Sequence, residues 1–225
     1  SRLALLARNA AVFEDVIGKV LAVVPDPILI VATNPVDIMT TVALRISGLP
    51  ATRVIGSGTI LDTARFRALL AGHLGVAYRS VHGYVLGEHG DSEVLGWSGA
   101  RVGTMPVDDF ARRIGRPIDA AARGEIDAGV RQAAYRIISG KGATGYGIGG
   151  GLARMVAAIA QDEGAVLSLS TQSDALADFP RVAFSVPRVL GAEGILAELE
   201  PTLDAEEARA LKASAELLAE TAAAL

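Results

Sequence analysis

Cysteine is absent from the 225-residue chain, which removes disulfides, thiolate nucleophiles and thiolate metal sites from consideration. No apolar run approaches the roughly 20 residues that a bilayer-spanning helix needs, and no leader-peptide pattern is present, so the expected location is cytoplasmic. The formal charge is −4 with no basic stripe, which argues against a nucleic-acid partner. No internal repeat or low-complexity linker interrupts the chain. A glycine-rich phosphate loop is missing as well. Gly145, Gly147 and Gly149 to Gly151 lie close together, but no strand leads into them, and no G-x-G-x-x-G opens a helix. What is there is 51% apolar, enough at this length to bury a real core.

Leu3, Leu6, Phe13, Val16, Ile17, Val20 and Val24 recur at helical spacing, and Pro25 and Pro27 end that helix. Ile28 to Ala32 is short and wholly apolar, as in a parallel strand buried on both faces. It gives way to Thr33-Asn34-Pro35 and a second helix, and Val54-Ile55 before Gly56-Ser57-Gly58 reads as another strand and turn. This is doubly wound α/β organisation with its first strand and phosphate loop missing. From Val81 the texture changes. Strands are expected over 81–86, 93–98, 165–171 and 182–186, and helices near 123–138 and 147–162. A final helix over 204–224 opens on Asp204 with Glu207 three residues later, a capping-box spacing. The expected fold is thus α/β: an incomplete doubly wound (Rossmann) parallel sheet over residues 1–55, then an α+β domain with antiparallel strands over 56–225, joined tightly.

Three histidines are available. His89, in Gly87-Glu88-His89-Gly90-Asp91-Ser92, sits in a turn after an expected strand, where an imidazole titrating near neutrality suits proton transfer. A polar turn histidine fits the same local sequence. His73 reads as a helix-end residue, and His82 lies within an apolar strand. In a helix over Leu61 to Arg67, Asp62 and Arg65 share a face while Arg67 points elsewhere. Asp62 beside His89 would favour the imidazolium, and Arg65 could grip a carboxylate with two parallel hydrogen bonds. An ordinary surface ion pair is the alternative. Asn34-Pro35 ends a buried strand, where such sheets bind ligands. The X-Pro bond there suits a cis turn, and Asn34 equally suits a helix cap.

Taken in order and spacing, Ser1 to Leu3 with Arg8-Asn9, Thr33 to Asp37, Val54 to Gly58, Leu61 to Arg67 and especially His82 to Ser92 resemble the lactate/malate dehydrogenase family. Within it they resemble the bacterial allosteric L-lactate dehydrogenases, and Lys141 to Ile148 and Ser185 to Pro187 add weaker matches. The resemblance covers essentially the whole chain. It implies NAD as cofactor and hydride transfer between NADH and pyruvate to give L-lactate, with His89 as acid/base and Asp62 as its carboxylate partner. It implies Arg65 on the substrate carboxylate and Arg2 on the carbonyl. Asn34 and Ser57, with Ala32, would line the nicotinamide site, Ile148 would wall the ring, and Thr144 would stand on the substrate side as in lactate enzymes. Arg67 and His82 resemble positions that bind fructose 1,6-bisphosphate across a two-fold interface of a homotetramer. The alternative there is a solvent-facing arginine and a buried histidine. No metal is implied.

Two departures accompany the resemblance. The N-terminal part of the nucleotide-binding domain, with the phosphate loop, the ribose-binding acid and the specificity residue of the mobile loop, is expected to lie outside this sequence. Residues Ser173 to Pro180 replace a glycine-containing hairpin. The competing readings are a malate or other L-2-hydroxy acid dehydrogenase, and a non-catalytic fragment unable to bind NAD alone.

Overall fold

The computed structural model describes residues 2–141, 145–173, 176 and 178–224, with side chains from residue 6 onward except at 141. Its first helix, α1 (Arg2–Val23), stops just before Pro25 and Pro27, as the periodicity requires. The apolar run that follows supplies β1 (Leu29–Val31), and α2 (Val36–Ser47) carries the chain over to β2 (Val54–Gly56). β1 and β2 pair in parallel, Leu29 to Val54 through Val31 to Gly56, the β-α-β arithmetic of a doubly wound sheet. Gly48, in the left-handed region at φ 65°, closes α2 by returning its N–H to the Leu44 carbonyl.

α3 (Ile60–Leu74) leads into a group of short strands: β3 (Val81–His82), β4 (Val85–Leu86), β5 (Val94–Leu95), β6 (Arg101–Val102) and β7 (Met105–Pro106). The strands expected over 81–86 and 93–98 are therefore much shorter than the apolar pattern suggested. Gly83 separates β3 from β4 where the Phe66 ring packs so close that a Cβ would sit 3.0 Å from its edge. α4 (Val107–Arg113), α5 (Ala120–Arg131) and α6 (Ala133–Lys141) follow. The single helix expected near 123–138 is two helices meeting at Gln132. Just before that junction Asp127 holds the Arg131 guanidinium at 2.6 Å while Arg131 reaches the Asp91 carbonyl at 3.0 Å. α7 (Tyr146–Ala160), β8 (Ala165–Gln172), β9 (Ala183–Gly191), β10 (Gly194–Glu198) and α8 (Ala205–Ala223) complete the described chain. α8 carries the expected capping box: Asp204 accepts from the Glu207 N–H and Glu207 accepts from the Asp204 N–H.

The main sheet runs β1-β2-β8-β9-β10. β8, β9 and β10 are antiparallel, and β8 meets β2 through one pair, Gly56 with Ser170. One sheet thus passes from the parallel, N-terminal part of the chain into the antiparallel, C-terminal part. An apolar core lies where α1, α2 and α8 pack on this sheet around Ile38, Met39, Phe184 and Leu211, and α7 closes another around Ile55, Met155 and Leu169. A third joins α3, α4 and α5 to the small strands around Phe66 and Leu70. Within the sheet, Arg188 is wholly buried, donating to the carbonyls of Phe184 (3.0 Å) and Thr171 (3.2 Å) and paired with Glu198 at 2.7 Å.

Candidate active site

Four elements hold the loop that carries His89. Gly87 leaves β4 at φ 82°, a conformation glycine adopts freely, and a Cβ there would come within 2.7 Å of the Ser214 hydroxyl on α8. Its N–H and carbonyl both pair with Ser185 on β9. One residue on, the Glu88 N–H donates to Ser214 at 2.9 Å. The His89 N–H donates to Asp37 Oδ2 on α2 at 2.7 Å, and the ring Nδ1 lies 2.6 Å from Asp62 Oδ2 on α3. With Nδ1 engaged, Nε2 on the far edge of the ring is left for the cleft that His89 lines.

The electrostatics follow from burial and charge. Asp62 is buried, and its second oxygen accepts from Arg65 Nη1 at 2.7 Å, one helical turn along the same face. The expected Asp62–Arg65 pair is thus no surface ion pair but the back wall of the site. Burial of the ring would lower the His89 pKa, but the hydrogen bond and negative charge of Asp62, with Asp37 and Glu93 beyond, raise it to about 9. At neutral pH the imidazole is therefore cationic. Burial pushes the Asp37 carboxyl up to about 6 against the pull of the Ser170 hydroxyl and the His89 amide.

A cleft of about 370 Å³ opens in front of His89 and Arg65, lined by Ala32, Asn34, Ser57 and Ile148. The Asn34–Pro35 bond is cis, and Pro35 takes the cap position of α2 with no side-chain hydrogen bond, so the Asn34 amide is not spent on capping. Leu61, Ile137, Ile138 and Ile148 give the cleft apolar lining, and Asn34, Ser57, His89 and Arg65 give it polar groups. A flat ring bearing a carboxamide fits such a cleft, apolar against its face and hydrogen-bonded at its edge. The residues present therefore fit the nicotinamide end of NAD.

Not every expected site residue joins this group. Thr144 lies outside the described residues, and Arg2 is placed only as backbone at the start of α1. Arg67, as its helical position requires, turns away from the cleft: it donates to the Gly83 carbonyl at 2.8 Å with its guanidinium 4.8 Å over the Tyr84 ring. His82 is exposed, not buried among apolar neighbours, because β3 is two residues long and alternates Val81 inward with His82 outward. His73 ends α3 beside the Pro117 carbonyl, away from the cleft. Sequence reasoning missed Asp37, Glu93 and the Ile137-Ile138 wall. Asp37 stands two residues beyond the Asn34-Pro35 turn, and only the fold reveals that it reaches the His89 backbone. Asp62, His89 and Glu93 bring ligand-type atoms within 4.8 Å of one another, but Asp62 and His89 already spend theirs on each other and on Arg65.

Comparison with known proteins agrees with this geometry. Residues 59–224 match the lactate/malate dehydrogenase alpha/beta C-terminal domain, and residues 1–56 match the NAD binding domain of the same family. The chain belongs to the lactate/malate dehydrogenase family. Its relatives include the L-lactate dehydrogenase of Allorhizobium ampelinum, 59% identical over 222 residues, covering 99% of this chain and 72% of that protein. The L-lactate dehydrogenase of Thermus aquaticus is 58% identical, covering all of this chain and 73% of the other. Among solved structures, a lactate dehydrogenase from a Medee basin deep-sea metagenome library superposes with a TM-score of 0.95 at 40% identity, covering all of this chain and 71% of that one. The minor L-lactate dehydrogenase of Enterococcus mundtii, in its ligand-bound form, gives 0.94 at 38% identity, also over all of this chain and 71% of that one.

Proposed function

We propose that the chain is an NAD-dependent L-lactate dehydrogenase, reducing pyruvate to L-lactate and reversing the reaction with the same residues. The observation that carries this is the His89–Asp62–Arg65 group, a cationic imidazole and a guanidinium on one carboxylate, with imidazole and guanidinium lining a cleft suited to nicotinamide. NADH, when bound, supplies the hydride. The protein's own residues must hold the keto acid and deliver a proton. Arg65 has guanidinium donors beyond the one given to Asp62, and these bind the pyruvate carboxylate and fix its direction. His89 gives its Nε2 proton to the carbonyl oxygen as negative charge grows there, and in the reverse direction takes it back. Asp62 keeps the imidazole charged and oriented throughout. Asn34 and Ser57, with Ala32 and Ile148, hold the nicotinamide end. Arg2 against the carbonyl and Thr144 on the substrate side complete the reading by family resemblance.

The comparison that tests this is turnover of NADH on pyruvate against oxaloacetate, with NADH fluorescence titration of the same polypeptide. Preference for pyruvate is expected, and preference for oxaloacetate refutes the choice of substrate. The fold supports a division near residue 55 into a cofactor-side part and a catalytic part, and a homotetramer is the assembly that goes with the family. Arg67 and His82 form a second site for fructose 1,6-bisphosphate. What supports it is that His82 is exposed and that Arg67 rests on Gly83, the next residue along. Pyruvate saturation curves should sharpen from sigmoidal to hyperbolic as the bisphosphate is added, and curves that do not change dismiss that site.

A further inference from the structure

Glu93 is a buried carboxyl of the His89 neighbourhood that the reaction described above does not use. It closes the catalytic loop, its N–H bonding to the Gly90 carbonyl at 3.2 Å, and it then points inward as β5 begins. Only 4% of its surface is exposed. Its carboxyl oxygen stands within 4.8 Å of ligand atoms of both Asp62 and His89. Its Oε1 is buried with no hydrogen-bond partner among the described residues.

We propose that Glu93 is a positioning residue for proton transfer: an uncharged carboxylic acid at neutral pH that, once ionised in alkaline solution, holds the proton on His89. The inference rests on the reading of His89 as acid/base. Two carboxylates this close in a buried setting repel, and the local cations are already committed. Arg65 is on Asp62, and His89 is on the other oxygen of the same carboxylate. From α5, Arg131 faces Glu93 but is held by Asp127, whose own negative charge works against ionisation. An orphan oxygen is also far more costly on a charged carboxylate than on a neutral acid. Consistently, burial and the charge of Asp62 push the Glu93 carboxyl up to about 8.

The consequence is a coupled pair of protons. When Glu93 loses its proton to solvent, the new charge adds to those of Asp62 and Asp37 around the imidazole and makes His89 harder to deprotonate. The acid form of His89, needed for keto-acid reduction, then persists further into the alkaline range. The form with a vacant Nε2, needed for oxidation of the hydroxy acid, appears later.

Nuclear magnetic resonance of the 225-residue chain tests this without turnover. In the unmodified protein, the carboxyl carbon of ¹³C-labelled Glu93 should titrate near pH 8. A midpoint in the ordinary range of about 4 to 5 overturns the proposal. In Glu93→Gln, which keeps the shape and volume of the neutral acid, the His89 ring nitrogens should look as in the parent at pH 7 and deprotonate at least about half a pH unit earlier above it. An unchanged His89 midpoint in the folded variant also overturns it. Neither readout depends on catalysis, so failure of His89 as acid/base would instead appear as activity retained by His89→Ala.

Discussion

Replacing Asp62 by Asn removes one charge and almost no volume, and the structure says how much that charge does. Asp62 holds His89 Nδ1 at 2.6 Å and Arg65 at 2.7 Å. With it, the imidazole titrates at about 9, and the leading opposing influence is burial, which lowers the value. Without the carboxylate, burial works against the remaining charges of Asp37 and Glu93, and His89 should return toward its ordinary 6.5, a fall of about 2.5 pH units. At about 1.36 kcal/mol per unit, the imidazolium loses about 3.4 kcal/mol of support. At pH 7 its population drops from about 99% to about a quarter. The amide also brings a choice of hydrogen bonds. If its oxygen stays on Arg65, its NH2 group donates to Nδ1 and the remaining ring proton sits on Nε2 of a neutral imidazole, a poor acid. Pyruvate reduction at pH 7 should therefore fall by about 10²–10⁴, the usual worth of a positioned general acid. The direct assay is ¹⁵N titration of the His89 ring in parent and variant, with NADH-coupled reduction alongside. A His89 midpoint still near 9 in Asp62→Asn would refute the reasoning, because some other group would then hold the charge.

Arg65→Lys keeps the charge but loses the planar fork, so KM for pyruvate should rise ~10-fold or more with a smaller change in kcat; an unchanged KM removes Arg65 from the substrate carboxylate. His89 and Glu93 both bind their protons more tightly when folded than their ordinary values of 6.5 and 4.5 imply, so each adds stability at low pH that is lost as pH rises, for His89 between 6.5 and about 9 and for Glu93 between 4.5 and about 8. Urea unfolding should accordingly lose up to about 5 kcal/mol of stability between pH 6.5 and 9, about 3.4 from His89 and about 2 from Glu93, and a stability that rises there would contradict the assigned charges. Glu198→Ala strands the buried Arg188 guanidinium, which it holds at 2.7 Å. A loss of about 3–5 kcal/mol in urea unfolding is expected, and a loss under about 1 kcal/mol would mean that the sheet carbonyls of Leu169, Thr171 and Phe184, to which Arg188 donates, suffice.

The parts of this structure that repeat or alternate were legible in the chain itself. The α1 periodicity, the apolar run of β1 and the Asp204–Glu207 cap each reflect local physics and appear where expected. Helical spacing put Asp62 and Arg65 on one face, and the family resemblance joined His89 to them. Asp37 and Glu93 were not, because nothing local distinguishes a buried carboxyl from a solvated one: Asp37 meets His89 across 52 positions of chain. The strands expected over 81–86 and 93–98 were overestimated in length for a similar reason. Apolar alternation marks residues that face a core, and here the core is reached by tight turns as often as by extended pairing.

The single Gly56–Ser170 link and the Asp37 bond to the His89 amide cross the border at which the two family domains meet. Severing the polypeptide between residues 56 and 59 would leave one piece without its sheet neighbour and the other with a proton donor that has lost the carboxylate on its backbone amide. The inherited border is therefore a seam in ancestry rather than a place to cut. A swap of the cofactor-side half with that of a relative must bring along a carboxylate in register with the imidazole it steadies.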